Sequence, residues 1–529
     1  MRLLLERAAP GDSIPVMVTK HSISMLAKVP GRALVWATVT GIGLGLAYVL
    51  SPVSVWFFIA VTGLFVWVSR GLPNRERRWV LGTLTIAVVL RVLVIAVLFL
   101  GAETGSCGWA TPTPSRVAAS IEAAGGTYTT ASCSPLTIGN DQFVSFFWDG
   151  DGSALKRRTV SIQNIWLGIP IDPFLFFVAF DPDYGWTTYV LVLSYLQYWL
   201  GSAPYGIHLF NVLAFLASTL LLYRLVRSSY GRATALAGLA LLVFLPTPFA
   251  WSVSAMKEEL YILLGASAVV ATVAVVRTNG IVKRVAPLLL LVGSLSVIET
   301  VRVGGRLILG TGLGAGIAGG AITRRVSLML LAFLLVPYAG YRTLGNADVQ
   351  VRIMSQLQKF AVIHIGHVRT EGNHYKLLDQ RFYSDLSASQ LEDGTLLAVR
   401  PVEDMTPAEA LRFVSRALIS FVVVPLPWQL QSRTEILFLV QQIIWYLMVF
   451  FAAIGVVAGL RRDPFVTCLL CGVTAAGALA IGLNSGNIGT LVRHRDTVVP
   501  FVVWLSALGA VTTASYWMSW AMPETLDSE

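Results

Sequence analysis

Charge is what this chain has least of. Of its 529 residues, 13% are Asp, Glu, Lys or Arg, where a soluble protein carries about a quarter. With 55% hydrophobic residues and a mean hydropathy of +0.70, a water-soluble globule is excluded as the main body. The short alternating segments of a membrane β-barrel are absent too. So are a Walker A loop, a dinucleotide fingerprint, a nucleophile elbow and an HExxH helix. Energy for any reaction must then come from the substrate itself or from a gradient. Met1 to Lys28 is mixed and charged, without the apolar core of a cleavable signal peptide.

Cysteine is scarce, at four residues. Cys468 and Cys471 fall one turn apart in an apolar helix and read as packing residues. Cys107 and Cys133 share a long polar stretch, and can form a disulfide if that stretch lies outside the cytoplasm.

What is present is a series of apolar runs near the roughly 20 residues needed to cross a bilayer. They predict an all-α polytopic membrane protein. The expected spans are 34–50, 55–68, 80–100, 205–225, 233–251, 260–276, 285–298, 303–322, 326–340, 436–460, 465–483 and 497–520. That makes about twelve, with a large first extracytoplasmic loop and a smaller second polar region. The segments 186–200 and 411–428 read as surface or re-entrant. Four regions follow. Residues 1–78 form a cytoplasmic segment with two spans, and residues 79–342 a transmembrane core with the loop 101–185. Residues 343–432 make the second extracytoplasmic region, and residues 433–529 the last spans and a short cytoplasmic tail.

The net charge is +10. Nothing resembles a nucleic-acid module, and cytoplasmic Lys and Arg explain the excess. With Arg70, Arg75, Arg77 and Arg78 inside, the clusters Arg224/Arg227/Arg232, Arg277/Lys283/Arg284, Arg324/Arg325 and Arg461/Arg462 also fall inside. Both termini are then cytoplasmic, in the plasma or inner membrane. Left on the outer face are Trp148-Asp149-Gly150-Asp151-Gly152, Lys257-Glu258-Glu259, the stretch 341–410 and Arg493-His494-Arg495.

Asp149 and Asp151 suit a general base, or hard oxygen ligands for a divalent cation. Asp141, Asp181 and Asp183 add carboxylates to the same loop. An Asp-Gly-Asp-Gly run is also an ordinary turn sequence. Arg493 and Arg495, with Lys257 and Arg302, match the oxygens of a phosphate or diphosphate. Singly, each reads first as a snorkelling side chain or a lipid-headgroup contact at a helix end; together, opposite the carboxylates, they point to an anionic substrate such as a lipid phosphate. Glu258 reads either as a site residue or as an ion-pair partner of Lys257. His364, His367 and His374 do not carry a metal-site pattern. The aromatic residues of the first loop, Trp148 through Trp199, suit an interfacial belt.

In order and spacing, these features resemble the GT-C superfamily of membrane glycosyltransferases, of the protein-mannosyltransferase and aminoarabinose-transferase type. Four stretches carry the resemblance over roughly residues 80–520. They are Trp148-Asp149-Gly150-Asp151-Gly152; Asp183-Tyr184-Gly185-Trp186 with Pro204-Tyr205-Gly206-Ile207-His208-Leu209-Phe210-Asn211; Pro425-Leu426-Pro427-Trp428-Gln429; and Arg493-His494-Arg495 with Pro500. Ser153 stands where the family often has an aromatic residue, and Lys156-Arg157-Arg158 continue basic. The resemblance implies inverting transfer of a sugar from a polyprenyl-phosphate carrier to a glycan, lipid or protein acceptor on the outer face. It implies Asp149 as base, with Asp151 as second choice, and Arg493, Arg495, Lys257 and Arg302 on the donor phosphate. Asp183, Tyr184, Glu258 and His494 would support them. The resemblance fixes no cofactor, and a divalent metal, if any, would sit on Asp149 and Asp151. A polysaccharide polymerase or ligase, or a lipid-linked-sugar flippase, is the competing class.

Overall fold

The computed structural model describes residues 38–43, 45, 51–103, 149–170, 188–201, 203, 205–370, 373–387, 402–429 and 436–521. Among these there are helices and turns but no β-strand. The expected span 34–50 lies largely outside the described residues. So do the cysteine pair Cys107 and Cys133, and Asp183 and Tyr184.

Helices α1 (Pro52–Ser69), α2 (Asn74–Glu103), α5 (Gly206–Tyr230), α8 (Glu258–Arg277), α9 (Ile281–Val301), α10 (Gly305–Ile322), α14 (Ile436–Arg462), α15 (Pro464–Asn484) and α17 (Val499–Ala521) build the bundle. Each contains a run long and apolar enough to cross a membrane, nine among the described residues. Two bent pairs bring the figure to as many as 11. One is α6 (Arg232–Phe244) with α7 (Pro246–Ser252), bent by 63°; the other joins α11 (Val326–Leu344) to α12 (Ala347–Val368), bent by 86°. Outward faces are apolar: Phe333 is 78% exposed and Leu289 67%. Exposed apolar surface on this scale needs lipid or protein against it. The chain is a multi-pass membrane protein by this measure.

Capping residues set the boundaries. Ser51 precedes Pro52, and Asp463 precedes Pro464 and accepts from the Val466 amide. Proline at the first helical position loses no hydrogen bond, and the side chain before it satisfies an orphan amide. Gly231, at φ 96°, turns α5 into α6 where a side chain would be strained. Glycine also sets how closely helices meet. A Cβ on Gly316 of α10 would lie 2.6 Å from the Leu469 Cα, and one on Gly312 2.8 Å from the Val473 Cα. The α10–α15 pair therefore closes backbone against backbone, as small residues permit in lipid.

Arg91 sits in the middle of α2 and is fully buried. It donates to the Val243 carbonyl at 3.0 Å and to Ser252 Oγ at 2.7 Å, and stacks over Phe215 and Phe249. Pro246 and Pro248 lack the amides that would continue α6. Arg91 ties the two halves of that break together.

Two differences from the sequence reading concern the polar regions. Asp149–Trp166 is a helix, α3, not part of a loop. Its residues Leu155, Thr159 and Ile162 recur at helical spacing and face α4 (Thr188–Leu200). Ser194 of α4 donates to the Thr159 carbonyl at 3.2 Å. The amphipathic spacing outweighs the turn preference of Asp and Gly, which sit only in the first turn. In the second polar region, α12 and α13 (Pro407–Val423) are helical as well. Thr406 and Glu409 close a capping box at the start of α13. At 13 residues, α4 is about 20 Å long, too short for a hydrocarbon core of about 30 Å.

The bundle has two chemically distinct ends. At one, Glu76 accepts from Arg227 at 2.6 Å and from Tyr223 at 2.7 Å. Arg277 pairs with Asp463, and Arg462 donates to the Tyr230 carbonyl at 3.0 Å. Basic residues dominate this end. The other end holds the site.

Candidate functional site

Four stretches meet at that other end: the turn 253–257, the first turn of α8, the α9–α10 connection, and α16 (Ile488–Arg495). The turn is fixed from α5. Asn211 Nδ2 donates to the Ser254 carbonyl at 2.6 Å and the Met256 carbonyl at 2.8 Å. His208 Nδ1 donates to the Val253 carbonyl at 2.6 Å, and Tyr189 of α4 donates to Asn211 Oδ1 at 3.2 Å. The α9–α10 connection is fixed by Glu299, which accepts from the Gly304 and Arg306 amides at 3.1 and 2.9 Å. The helix α16 is capped by Asn487, which accepts from the Gly489 amide at 2.8 Å.

These supports bring three of the expected cations together. Arg302 Nη2 donates to His494 Nε2 at 2.5 Å, and Arg493 Nη2 lies 3.4 Å from the same nitrogen. Arg493 Nε is 3.1 Å from Glu258 Oε1, a charge contact rather than an aligned hydrogen bond. Burial first, then the charges of Arg302, Arg493, His367 and Lys257, hold the His494 imidazole well below its ordinary pKa. Its Nε2 accepts, so the ring is neutral and the proton rests on Nδ1. Arg302 and Arg493 thus converge on one neutral imidazole, with Glu258 against Arg493 and the Lys257 charge close by.

Beside them is a cavity of about 230 Å³. Arg302, His494, His367 and Tyr261 line its polar part; Leu309, Ile363, Val473, Ile481 and Phe501 line its apolar walls. Ile363, one of the lining residues, is also 45% exposed. A cationic patch at one end of an apolar cavity suits an amphiphile with an anionic head.

Asp149 and Asp151 occupy the first turn of α3, and the description extends to their backbone only. A Cβ on Gly152 would lie 3.7 Å from the Ala255 carbonyl oxygen and 3.8 Å from Met256 Sδ. The first turn of α3 therefore rests on the turn that runs straight into Lys257 and Glu258.

Arg495 goes elsewhere. It is 1% exposed and donates to the Val424 carbonyl at 2.9 Å and to Gln442 Oε1 at 2.8 Å. Its guanidinium stacks 5.0 Å from the Trp445 ring, and burial pulls its pKa down to about 10. Next to it, Asp496 accepts from Trp251 Nε1 at 2.6 Å, and burial raises its carboxyl to about 6. His364 and His367 point to the Ser485 and Asn484 carbonyls, each at 2.7 Å. Among the described residues, no three His, Cys, Asp or Glu side chains converge as metal ligands would.

No family model, curated protein or solved structure matches the chain. The site must be read from its own geometry. Sequence reasoning named His208 and Asn211 only within the stretch 204–211 and Tyr189 only as an interfacial aromatic, without their role in holding the turn, and missed Arg91, which holds the bend. The available signal was a polar side chain inside an apolar run, which lipid tolerates only with a partner.

Proposed function

We propose that the protein transfers a glycosyl group from a polyprenyl-phosphate-linked sugar to an acceptor hydroxyl on the extracytoplasmic face, as a GT-C type enzyme. The observation that carries this reading is the juxtaposition of the Arg302–His494–Arg493 cluster with a largely apolar cavity. The phosphate would lie on Arg302, with Arg493 and Lys257 adding charge, and the isoprenoid chain along the apolar wall. The basic end of the bundle faces the cytoplasm in this reading, as the positive-inside bias requires.

The acceptor oxygen attacks the anomeric carbon as the bond from that carbon to the phosphate oxygen breaks. Its proton passes to a carboxylate, for which Asp149 is the first choice and Asp151 the second. Charge builds on the departing phosphate, where fixed guanidinium groups stabilise it. The contact of Gly152 with the 253–257 turn supports this two-sided arrangement. Arg495, committed to carbonyls and Gln442, has no part in it.

The test is consumption of labelled polyprenyl-phosphate sugars by the purified full-length protein in detergent, with and without chelator. Asp149→Asn should lower transfer by about 10²-fold or more without loss of folded protein. Arg302→Gln should weaken binding of the lipid phosphate by about tenfold or more. Wild-type protein that consumes no such donor, but moves lipid or solute across a vesicle membrane, would replace this reading with transport. Loss of activity on chelation would turn the Asp149 role from base to metal ligand.

A further inference from the structure

His494 is more than a neighbour of the two arginines. Its Nε2 is an acceptor aimed at Arg302 and Arg493, the same groups proposed above to hold the phosphate. An anion drawn onto Arg302 competes for the guanidinium N–H that His494 now accepts. The Nε2 lone pair would then face phosphate oxygens, lone pair against lone pair. One proton on Nε2 removes that repulsion and makes a third charged donor.

We infer that His494 is an anion ligand completed by binding: it takes up a proton as the phosphate arrives and donates Nε2–H to it. This rests on the reading of the cavity as a phosphate site. The groups around the imidazole come from every element packed there. Arg302 comes from the α9–α10 connection, and Lys257, Glu258 (through Arg493) and Tyr261 from the start of α8. His367 comes from α12, and Arg493 from α16 itself. In the empty site burial, and after it the surrounding cations, keep the ring neutral. An opposite charge within hydrogen-bond reach moves a neighbouring pKa by about 1 to 3, here upward. The sign follows. The bound state holds one more proton than the free state between the two pKa values, so affinity rises as pH falls through that window. Above the bound-state pKa the dependence stops.

The probe is a farnesyl methyl phosphodiester, a monoanion that does not itself titrate near neutrality. Calorimetric titration of the full-length protein in buffers of unlike ionisation enthalpy reads the protons taken up. Wild type should take up a fraction of a proton that grows towards one as pH is lowered into the window, and affinity should fall by up to about tenfold per pH unit as pH rises through it. His494→Gln keeps an amide donor and acceptor but cannot titrate. It should bind with no proton uptake and a flat pH profile. His367→Gln should keep both uptake and slope. Wild-type binding without proton uptake overturns the inference and leaves the phosphate site standing. Uptake that survives in His494→Gln and disappears in His367→Gln overturns it too. Failure of the wild type to bind the probe overturns the inference together with the phosphate reading of the cavity.

Discussion

Three consecutive residues at the end of α16 illustrate what one sequence can and cannot say about a side chain. Arg493-His494-Arg495 stands out as a basic run, and two of its members meet Arg302 and Glu258 beside the cavity. Which arginine faces the cavity is decided by helix geometry. Neighbours two apart on a helix differ by about 200° in direction, so Arg493 and Arg495 cannot serve the same pocket. Arg493 turns to Glu258, and Arg495 to the α13–α14 junction. Arg495→Lys should therefore act on stability. A single ammonium cannot reach Val424, Phe421 and Gln442 together, and the buried acceptors left behind cost about 2 kcal/mol. Thermal unfolding in detergent should register a lower midpoint, while affinity for an isoprenyl phosphate stays within about twofold. A loss of affinity with no change in midpoint would return Arg495 to the binding site.

The spans were legible as elements because lipid demands length and apolarity over a whole run, and composition reports both. The helix α3 was not. Its first turn is written in turn residues, and its packing face is a sparse Leu155, Thr159, Ile162 stripe among charges. The sequence alone does not say that α4 lies opposite to receive it. That contact sets the height of the Asp149–Gly152 turn above Ala255 and Met256. Gly152→Ala adds a methyl at an ordinary 3.7 Å contact and should be tolerated. Gly152→Leu must lift the turn. Displacement of a reacting group by about 1 Å costs about 10²-fold in rate. Transfer should drop by that order in the leucine variant, with the melting midpoint unchanged. Equal activity of the two variants would separate α3 from the chemistry.

On the scale of the whole molecule, pairing of helix ends sorts the chain into a basic end and a cavity end. The loop between α8 and α9 belongs to the first, and the start of α12 to the second. With native cysteines replaced, Asn279→Cys and Ala347→Cys should react with a membrane-impermeant maleimide from opposite sides. The Ala347→Cys label should come from the outside of intact cells. Labelling of both from one side would break the arrangement. The span count expected from the sequence, about twelve, stands against nine to 11 among the described residues. The difference comes from 34–50, which lies largely outside the described residues, and from the two bends, which hydropathy cannot see. Proline 246 was visible, but the buried Arg91 that secures its kink was hidden inside an apolar run.

The exposure of Ile363, a lining residue of the cavity, carries a kinetic consequence for the proposed transfer. A polyprenyl carrier that enters beside it would diffuse in the plane of the bilayer and slip between helices without passing through water. Turnover would then follow the mole fraction of the carrier among its neighbouring lipids, not its amount per volume of buffer. Diluting the carrier with inert phospholipid at constant total carrier should slow the proposed transfer, and adding more buffer to the same vesicles should not.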